Sequence, residues 1–222
     1  MINFFITATD TDAGKTFVSC ALIKALVTKG KRVAAYKPIS AGCSRQGDEL
    51  VNEDAQLLAN EANCQQTIDD INPISFFEPI APHIAARKQN MSIELDQIFD
   101  GYQKLGLLSP DITITEGAGG WRLPLGNGHF LSDFAKQAKQ QIILVVHMKL
   151  GCLNHAVLTY QAIKSDGLNC VAWVANCPEP MPYLDENIAE LENLLPMPKL
   201  AQLIHCDFTQ AAQQMNVELL DV

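Results

Sequence analysis

Short apolar runs alternate along the chain with longer segments whose apolar positions recur at helical spacing. Asn3 to Thr7 is a run of strand formers, and Ala8 to Ala13 is small and polar. From Lys15 to Lys29, Val18, Ala21, Leu22, Ala25 and Leu26 recur as one helix face, and Gly30 ends the segment. Arg32 to Tyr36 reads as a second strand, followed by Lys37-Pro38. Residues 1–38 therefore predict a complete β-α-β unit, with a right-handed crossover and parallel strands.

The alternation continues. Ile39 to Asp48 contains glycine and serine and no period, so a loop is predicted. Leu50 to Glu61 predicts a helix carrying Asp54. Asn72 to His83 has three prolines, which exclude one long helix and favour a short extended piece with a turn. Ser92 to Leu105 predicts an amphipathic helix with Ser92 as its cap and Glu94 and Asp96 in its first turn. Asp111 to Thr115, Ile142 to Val146, Val171 to Ala175 and Pro198 to Leu203 predict strands; Leu131 to Lys139, Asn154 to Ser165 and Asp185 to Leu194 predict helices. The Ile142 to Val146 run is wholly apolar, as in a central strand covered on both faces. The alternation predicts an α/β class, a mostly parallel sheet with helices on both faces in a single domain over residues 1–222, and Gly14-Lys15-Thr16 at the start of the first helix, behind a strand and a small-residue loop, makes it of the P-loop NTPase type.

Composition narrows the partners. A net charge of −9 leaves no electrostatic footprint for nucleic acid or an anionic membrane. No apolar stretch approaches the ~18 residues that span a bilayer, and the N-terminus lacks the pattern of a signal peptide. The seven cysteines are dispersed and free of C-x-x-C, as expected of reduced thiols in a cytoplasmic protein.

Gly14-Lys15-Thr16, at a helix start behind a strand and a small-residue loop, is the pattern of a nucleotide triphosphate site. Loop and helix N–H groups face the phosphates, Lys15 reaches the β/γ oxygens and the Thr16 hydroxyl binds Mg²⁺. The strict motif asks for glycine at position 9, where this chain has Thr9, so a chance Gly-Lys-Thr stands as the alternative. In a parallel sheet the strand ends share one edge, which collects Thr11 to Thr16, Lys37, Glu116, Lys149 and Asn176. Thr16, Asp54 and Glu116 suit the oxygen-rich ligation of Mg²⁺, and Lys15 and Lys37 suit the charge of a transferring phosphoryl group. Spacing alone reads Asp54 as a solvated helix face, and Lys37 equally well as a strand-end surface lysine. Glu116 precedes Gly-Ala-Gly-Gly, which permits close backbone approach to a ligand. His147 and His155 lack metal-ligand spacing, Cys152 has no evident base, and Trp121 and Trp173 read as packing.

Seven stretches together resemble the dethiobiotin synthetase family: ThrAspThr-x-x-GlyLysThr at 9–16, TyrLysPro at 36–38, AsnProIle at 72–74, GluPro-x-x-ProHis at 78–83, GluGlyAlaGlyGlyTrp at 116–121, LysLeuGlyCys-x-AsnHisAla at 149–156 and TrpValAlaAsn at 173–176. The family's longer loop begins with a glycine six residues before the second glycine, a place held by Ala8 here, so Thr9 is no departure from it and the loop's own departure is the small Gly-to-Ala change at Ala8. The resemblance implies an ATP- and Mg²⁺-dependent ligase acting on 7,8-diaminopelargonate and CO2, working as a homodimer. It implies catalytic roles for Thr11, Lys15 and Lys37, and Mg²⁺ ligation by Thr16, Asp54 and Glu116. Asp12, Ala13, Gly14, Phe17, Gly117, Ala118, Gly119, Asn176 and Cys177 would join in holding the nucleotide, with Asn176 reading the adenine. Ala41 and the Lys149, Leu150, Gly151, Cys152 and Asn154 turn would meet the organic substrate, the turn partly across a dimer interface.

Four departures bear on detail. Ala41 stands where the family often has a hydroxyl, Asp12 replaces a commoner Glu, Cys177 replaces a common Asp, and Ile204-His205-Cys206 lacks the usual proline. A nucleotide switch of the partitioning type is the competing class. Such proteins carry an extra loop lysine where this chain has Asp10, and Gln210 to Val222 has no basic face for a membrane.

Overall fold

A computed structural model describes residues 2–47 and 49–222. In chain order the elements are β1 (Ile2–Ala8), α1 (Lys15–Thr28), β2 (Val33–Tyr36), β3 (Ile39–Ala41), β4 (Ser44–Gln46), β5 (Glu49–Val51), α2 (Glu53–Glu61), α3 (Ile68–Ile71), β6 (Ile74–Phe76), α4 (Pro82–Lys88) and α5 (Leu95–Leu105). They continue as β7 (Ile112–Glu116), β8 (Pro124–Gly126), β9 (His129–Phe130), α6 (Leu131–Gln137), β10 (Gln141–His147), α7 (Cys152–Ser165), β11 (Cys170–Cys177), α8 (Leu184–Leu194), β12 (Lys199–Ile204) and α9 (Phe208–Gln214).

The main sheet has six parallel strands in the order β12-β11-β10-β1-β7-β2. Its centre, β1, pairs with both β10 and β7, so Ile6 lies opposite Ile143 on one side and Glu116 on the other. The two-residue period of the strands sorts side chains into two cores. Phe4, Ile6, Ile114, Ile143 and Val145 pack with α1, α2 and α9, while Phe5, Tyr36, Leu144 and Trp173 pack with α5, α6, α7 and α8. The strands from β11 to β2 are therefore covered on both faces while the edge strand β12 is only partly covered, and the C-terminal ends open onto one edge.

Several boundaries and elements differ from the predicted ones. The stretch expected as a loop at 39–48 contains β3, paired in parallel with β6, and β4, the first half of an antiparallel hairpin with β5; Asp48 lies outside the described residues. Leu50 and Val51 belong to β5, so α2 begins at Glu53, where the Asn52 side chain accepts from Ala55 N–H. The proline-rich stretch ends in the helix α4, because Pro82 sits in its first turn, where a missing N–H costs nothing. Ser92 caps nothing: α5 begins at Leu95 with Glu94 at its N-cap position. α9 gives no strong apolar period and escapes prediction, yet Asp207 and Gln210 form a reciprocal cap at its start.

Candidate active site

The loop from Thr9 to Gly14 leaves the C-terminal end of β1 and turns over the start of α1. Gly14 has φ of 87°, and a Cβ there would run into the Asn176 amide, so only glycine fits. The Asn176 amide donates to the Ala13 carbonyl at 2.9 Å and pins the loop from the β11 side. Asp12 adopts φ of 57°, a left-handed position that aspartate tolerates better than most residues.

Four charged side chains and one hydroxyl converge beneath this loop. Lys37 Nζ lies 2.6 Å from Glu116 Oε1 and 3.1 Å from Asp54 Oδ2. Thr16 Oγ1 donates to the same Glu116 oxygen at 2.9 Å, and Lys15 Nζ donates to the Asp10 carbonyl at 3.3 Å. Glu116 and Lys37 are buried, and Glu116 Oε2 has no hydrogen-bond partner among the described residues. The reading of Lys37 as a surface lysine is thereby overturned, and Asp54, from the first turn of α2, meets it rather than solvent alone.

Electrostatics follow from this packing. Burial works against the Lys37 charge, but Glu116 and Asp54 beside it outweigh that and hold its pKa above the ordinary lysine value. Burial depresses Lys15, with Glu116 opposing and the neighbouring Lys37 reinforcing the shift. Two lysines thus sit beside an under-satisfied carboxylate, and an arriving polyanion would oppose the depression of Lys15.

The groups face a cleft of about 870 Å³. Thr11, Asp12, Gly14, Lys15, Thr16, Lys37, Asp54, Glu116, Ala118 and Gly119 line one part of it, and Ala41 lines another. Gly117 instead turns toward β1, donating its N–H to the Ile6 carbonyl at 2.9 Å; a Cβ there would stand 2.9 Å from Phe5. Ala13 is buried under the loop, and the Phe17 ring packs on Phe208 at 5.1 Å between centroids. Cys177 is buried, which pushes its thiol up to about 11.

The Lys149 to Asn154 turn does not line this cleft. It meets the loop through Lys149 Nζ, 3.2 Å from Asp10 Oδ2. Leu150 is 96% exposed, Gly151 and Asn154 are exposed, and Cys152 is buried.

Sequence reasoning missed a second wall, made by Ile39, Ser40, Pro79, Ile80, Ala81, Pro82 and Leu123, and missed Asn52 at the cap of α2. Asn72 also went unassigned: its amide donates to the Lys37 carbonyl at 2.7 Å and its oxygen accepts from Ser40 Oγ at 2.7 Å. Ser40 is therefore spent on Asn72 and on Cys43 Sγ, 3.2 Å away, and does not replace a hydroxyl at Ala41. The signal for Asn72 was its place before a proline at the strand that pairs with β3.

Comparison with known proteins gives two kinds of likeness. A family model described as an AAA domain matches residues 3–207. The ATP-dependent dethiobiotin synthetase BioD of Alteromonas mediterranea is 45% identical over 214 residues, covering 91% of this chain and 92% of that one. The protein of the same name from Aeromonas salmonicida is 46% identical over 202 residues, covering 90% and 89%. Among solved structures, the MinC:MinD cell division protein complex of Aquifex aeolicus aligns with a TM-score of 0.55 at 12% identity, over 100% of this chain and 89% of that chain. That last likeness is one of fold alone.

Proposed function

The chain belongs to the AAA domain family and, with it, to the ATP-dependent dethiobiotin synthetases, and from that premise we propose that it closes the ureido ring of dethiobiotin. The substrates are 7,8-diaminopelargonic acid, CO2 and MgATP, and the products are dethiobiotin, ADP and phosphate. An amine adds to CO2 and loses a proton, leaving a carbamate. A carbamate oxygen attacks the γ-phosphorus as ADP departs, and the second amine then attacks the carbamoyl carbon as phosphate leaves.

The observation that carries this reading is the buried Lys37 ammonium held between Glu116 and Asp54 at the foot of the cleft. Two anions must meet for the phosphoryl step, and positioning plus charge neutralisation is the main help a protein can give. Lys15 and Lys37, which line the same cleft, supply that charge. Thr11, Asp12 and the N–H groups around Gly14 cradle the phosphates. The apolar wall of Ile39, Ala41, Ile80 and Leu123 suits the aliphatic chain of the diamine acid. Asn176 and Cys177 are buried and do not line the cleft, and a role for them at the base end is supported only by their place at the C-terminal end of β11, where Asn176 holds the loop.

Thr16, Asp54 and Glu116 would hold Mg²⁺. Their donors are all oxygen, and the partnerless Glu116 Oε2 is a buried acceptor of the kind a hard cation satisfies. When bound, Mg²⁺ would offset negative charge on the phosphate oxygens.

A homodimer joined near the start of α7 is supported by the bare Leu150 and by Leu158, 55% exposed on the same helix. Its partner's turn would then approach the carboxylate end of the diamine acid. A cytoplasmic setting is supported by seven unpaired cysteines, six of them buried. Incubation with Mg²⁺, ATP, bicarbonate and 7,8-diaminopelargonate is expected to release phosphate only when all are present, in step with dethiobiotin. Phosphate release indifferent to the diamine acid would instead indicate a nucleotide switch.

A further inference from the structure

Asp10 stands at an exposed bend of the phosphate loop and is bonded in three directions. Its Oδ1 accepts from Thr11 N–H at 2.8 Å, and its carbonyl accepts from Lys15 Nζ at 3.3 Å. Its Oδ2 accepts from Lys149 Nζ at 3.2 Å. One residue thus touches both the ammonium that faces the phosphates and the residue that opens the turn before α7. The Lys149 carbonyl in turn accepts from Cys152 N–H at 3.0 Å, so the first helical amide of α7 hangs on the same residue.

The charge arithmetic is unusual for a site that binds anions. A lone carboxylate beside the phosphate loop would repel them. The Lys149 hydrogen bond lowers the Asp10 pKa, so the carboxylate is ionised and the pair is neutral as a unit. Both partners are substantially exposed, at 41% and 50%, and such a pair adds little to stability. What the pair does is positional: it ties the loop to the turn.

We propose that Asp10 is a positioning residue that links the phosphate loop to the Lys149–Asn154 turn, so that a seated triphosphate orders the turn. A triphosphate immobilises the loop and takes Lys15 from the Asp10 carbonyl. The Asp10 side chain, fixed on Thr11 N–H, then restricts Lys149 and with it the turn. Two sites coupled in this way share the cost of ordering, which is positive cooperativity without a large movement. That the ordered turn meets the diamine acid rests on the reading above; the linkage itself does not.

The test is amide hydrogen exchange on the intact protein, with and without Mg²⁺ and a non-hydrolysable ATP analogue. In the wild-type chain the analogue is expected to slow exchange at Cys152 and His155 by about fivefold or more, the lower end of usual coupling between sites. Asp10→Asn should lose that slowing while residues 14–18 remain protected, and Asp10→Glu should restore part of it. A purely structural role would raise exchange at the turn equally with and without the analogue. The proposal is overturned if the wild-type turn ignores the nucleotide, or if Asp10→Asn retains the full effect. Failure to form dethiobiotin would sink the functional reading and leave this result standing.

Discussion

The two ends of the candidate site are built differently. Lys37, Glu116 and Lys15 are buried, Lys37 and Glu116 are bonded to each other and, respectively, to the partly exposed Asp54 and Thr16, and three neighbouring strands and two helices supply them. Around Lys149 the turn is exposed, rests on the loop through one ion pair, and carries a leucine almost wholly in solvent. The first end is preorganised by the fold of a single chain. The second is open to solvent and lightly held. A protein that must hold a triphosphate rigidly and admit a second, longer substrate gains from that division.

The largest effect should come from breaking the rigid end. Lys37→Ala is expected to lower turnover by roughly a thousandfold or more, since the proposed mechanism uses its charge to offset that of the transferring phosphoryl group. It also leaves Glu116 buried without its cation, a change worth about 3–5 kcal/mol of stability. Steady-state kinetics and thermal unfolding check both, and circular dichroism checks that the fold persists. Because the folded pKa of Lys37 is raised, its ion pairs contribute fully below the ordinary lysine value of 10.5 and are lost only as pH rises through the higher folded value. Acidification from neutral pH should therefore not discharge Lys37 itself.

Gly14→Ala should come next. It combines a left-handed φ with a collision against Asn176, at a strain cost of about 1–3 kcal/mol. Weakened nucleotide binding by calorimetry is expected, and unchanged affinity would mean that Asn176 yields easily. Asp54→Ala should be milder for stability, about 1 kcal/mol or less, because Asp54 is partly exposed. Its effect should appear as a raised Mg²⁺ requirement in the activity titration. Leu150→Ser should be the smallest for the cleft: nucleotide affinity unchanged, with self-association weakened in sedimentation. If it instead damages nucleotide binding in the monomer, the contrast between the two ends fails.

The rigid end was also the more legible in the sequence. Gly14-Lys15-Thr16 announces itself because backbone geometry demands those residues at that spacing. The parallel sheet was legible because strands buried on both faces leave unbroken apolar runs such as Ile142 to Val146. Asp54 was ambiguous, since helical periodicity places a side chain on a face without saying what stands opposite. Only the β2 end brings Lys37 to it, and that contact spans the crossover from β2 to α2. The walls from 39–41 and 79–82 were illegible for another reason. Short strands of three residues have no period to detect, and Pro82 signals an interruption whether it ends a helix or begins one. Asp10 was legible only as part of the 9–16 motif and as the absence of a loop lysine, because its partner lies 139 residues away.

The order in which bonds form is written in the fate of one oxygen atom. If Lys15 and Lys37 bring a carbamate to the γ-phosphoryl group, a carbamate oxygen ends in the released phosphate. Freshly dissolved CO2 carrying ¹⁸O, supplied with 7,8-diaminopelargonate and MgATP in ordinary water, is therefore expected to yield phosphate bearing one ¹⁸O and a labelled ureido oxygen. Phosphate that takes its new oxygen from water alone, whatever the rate, would contradict the account.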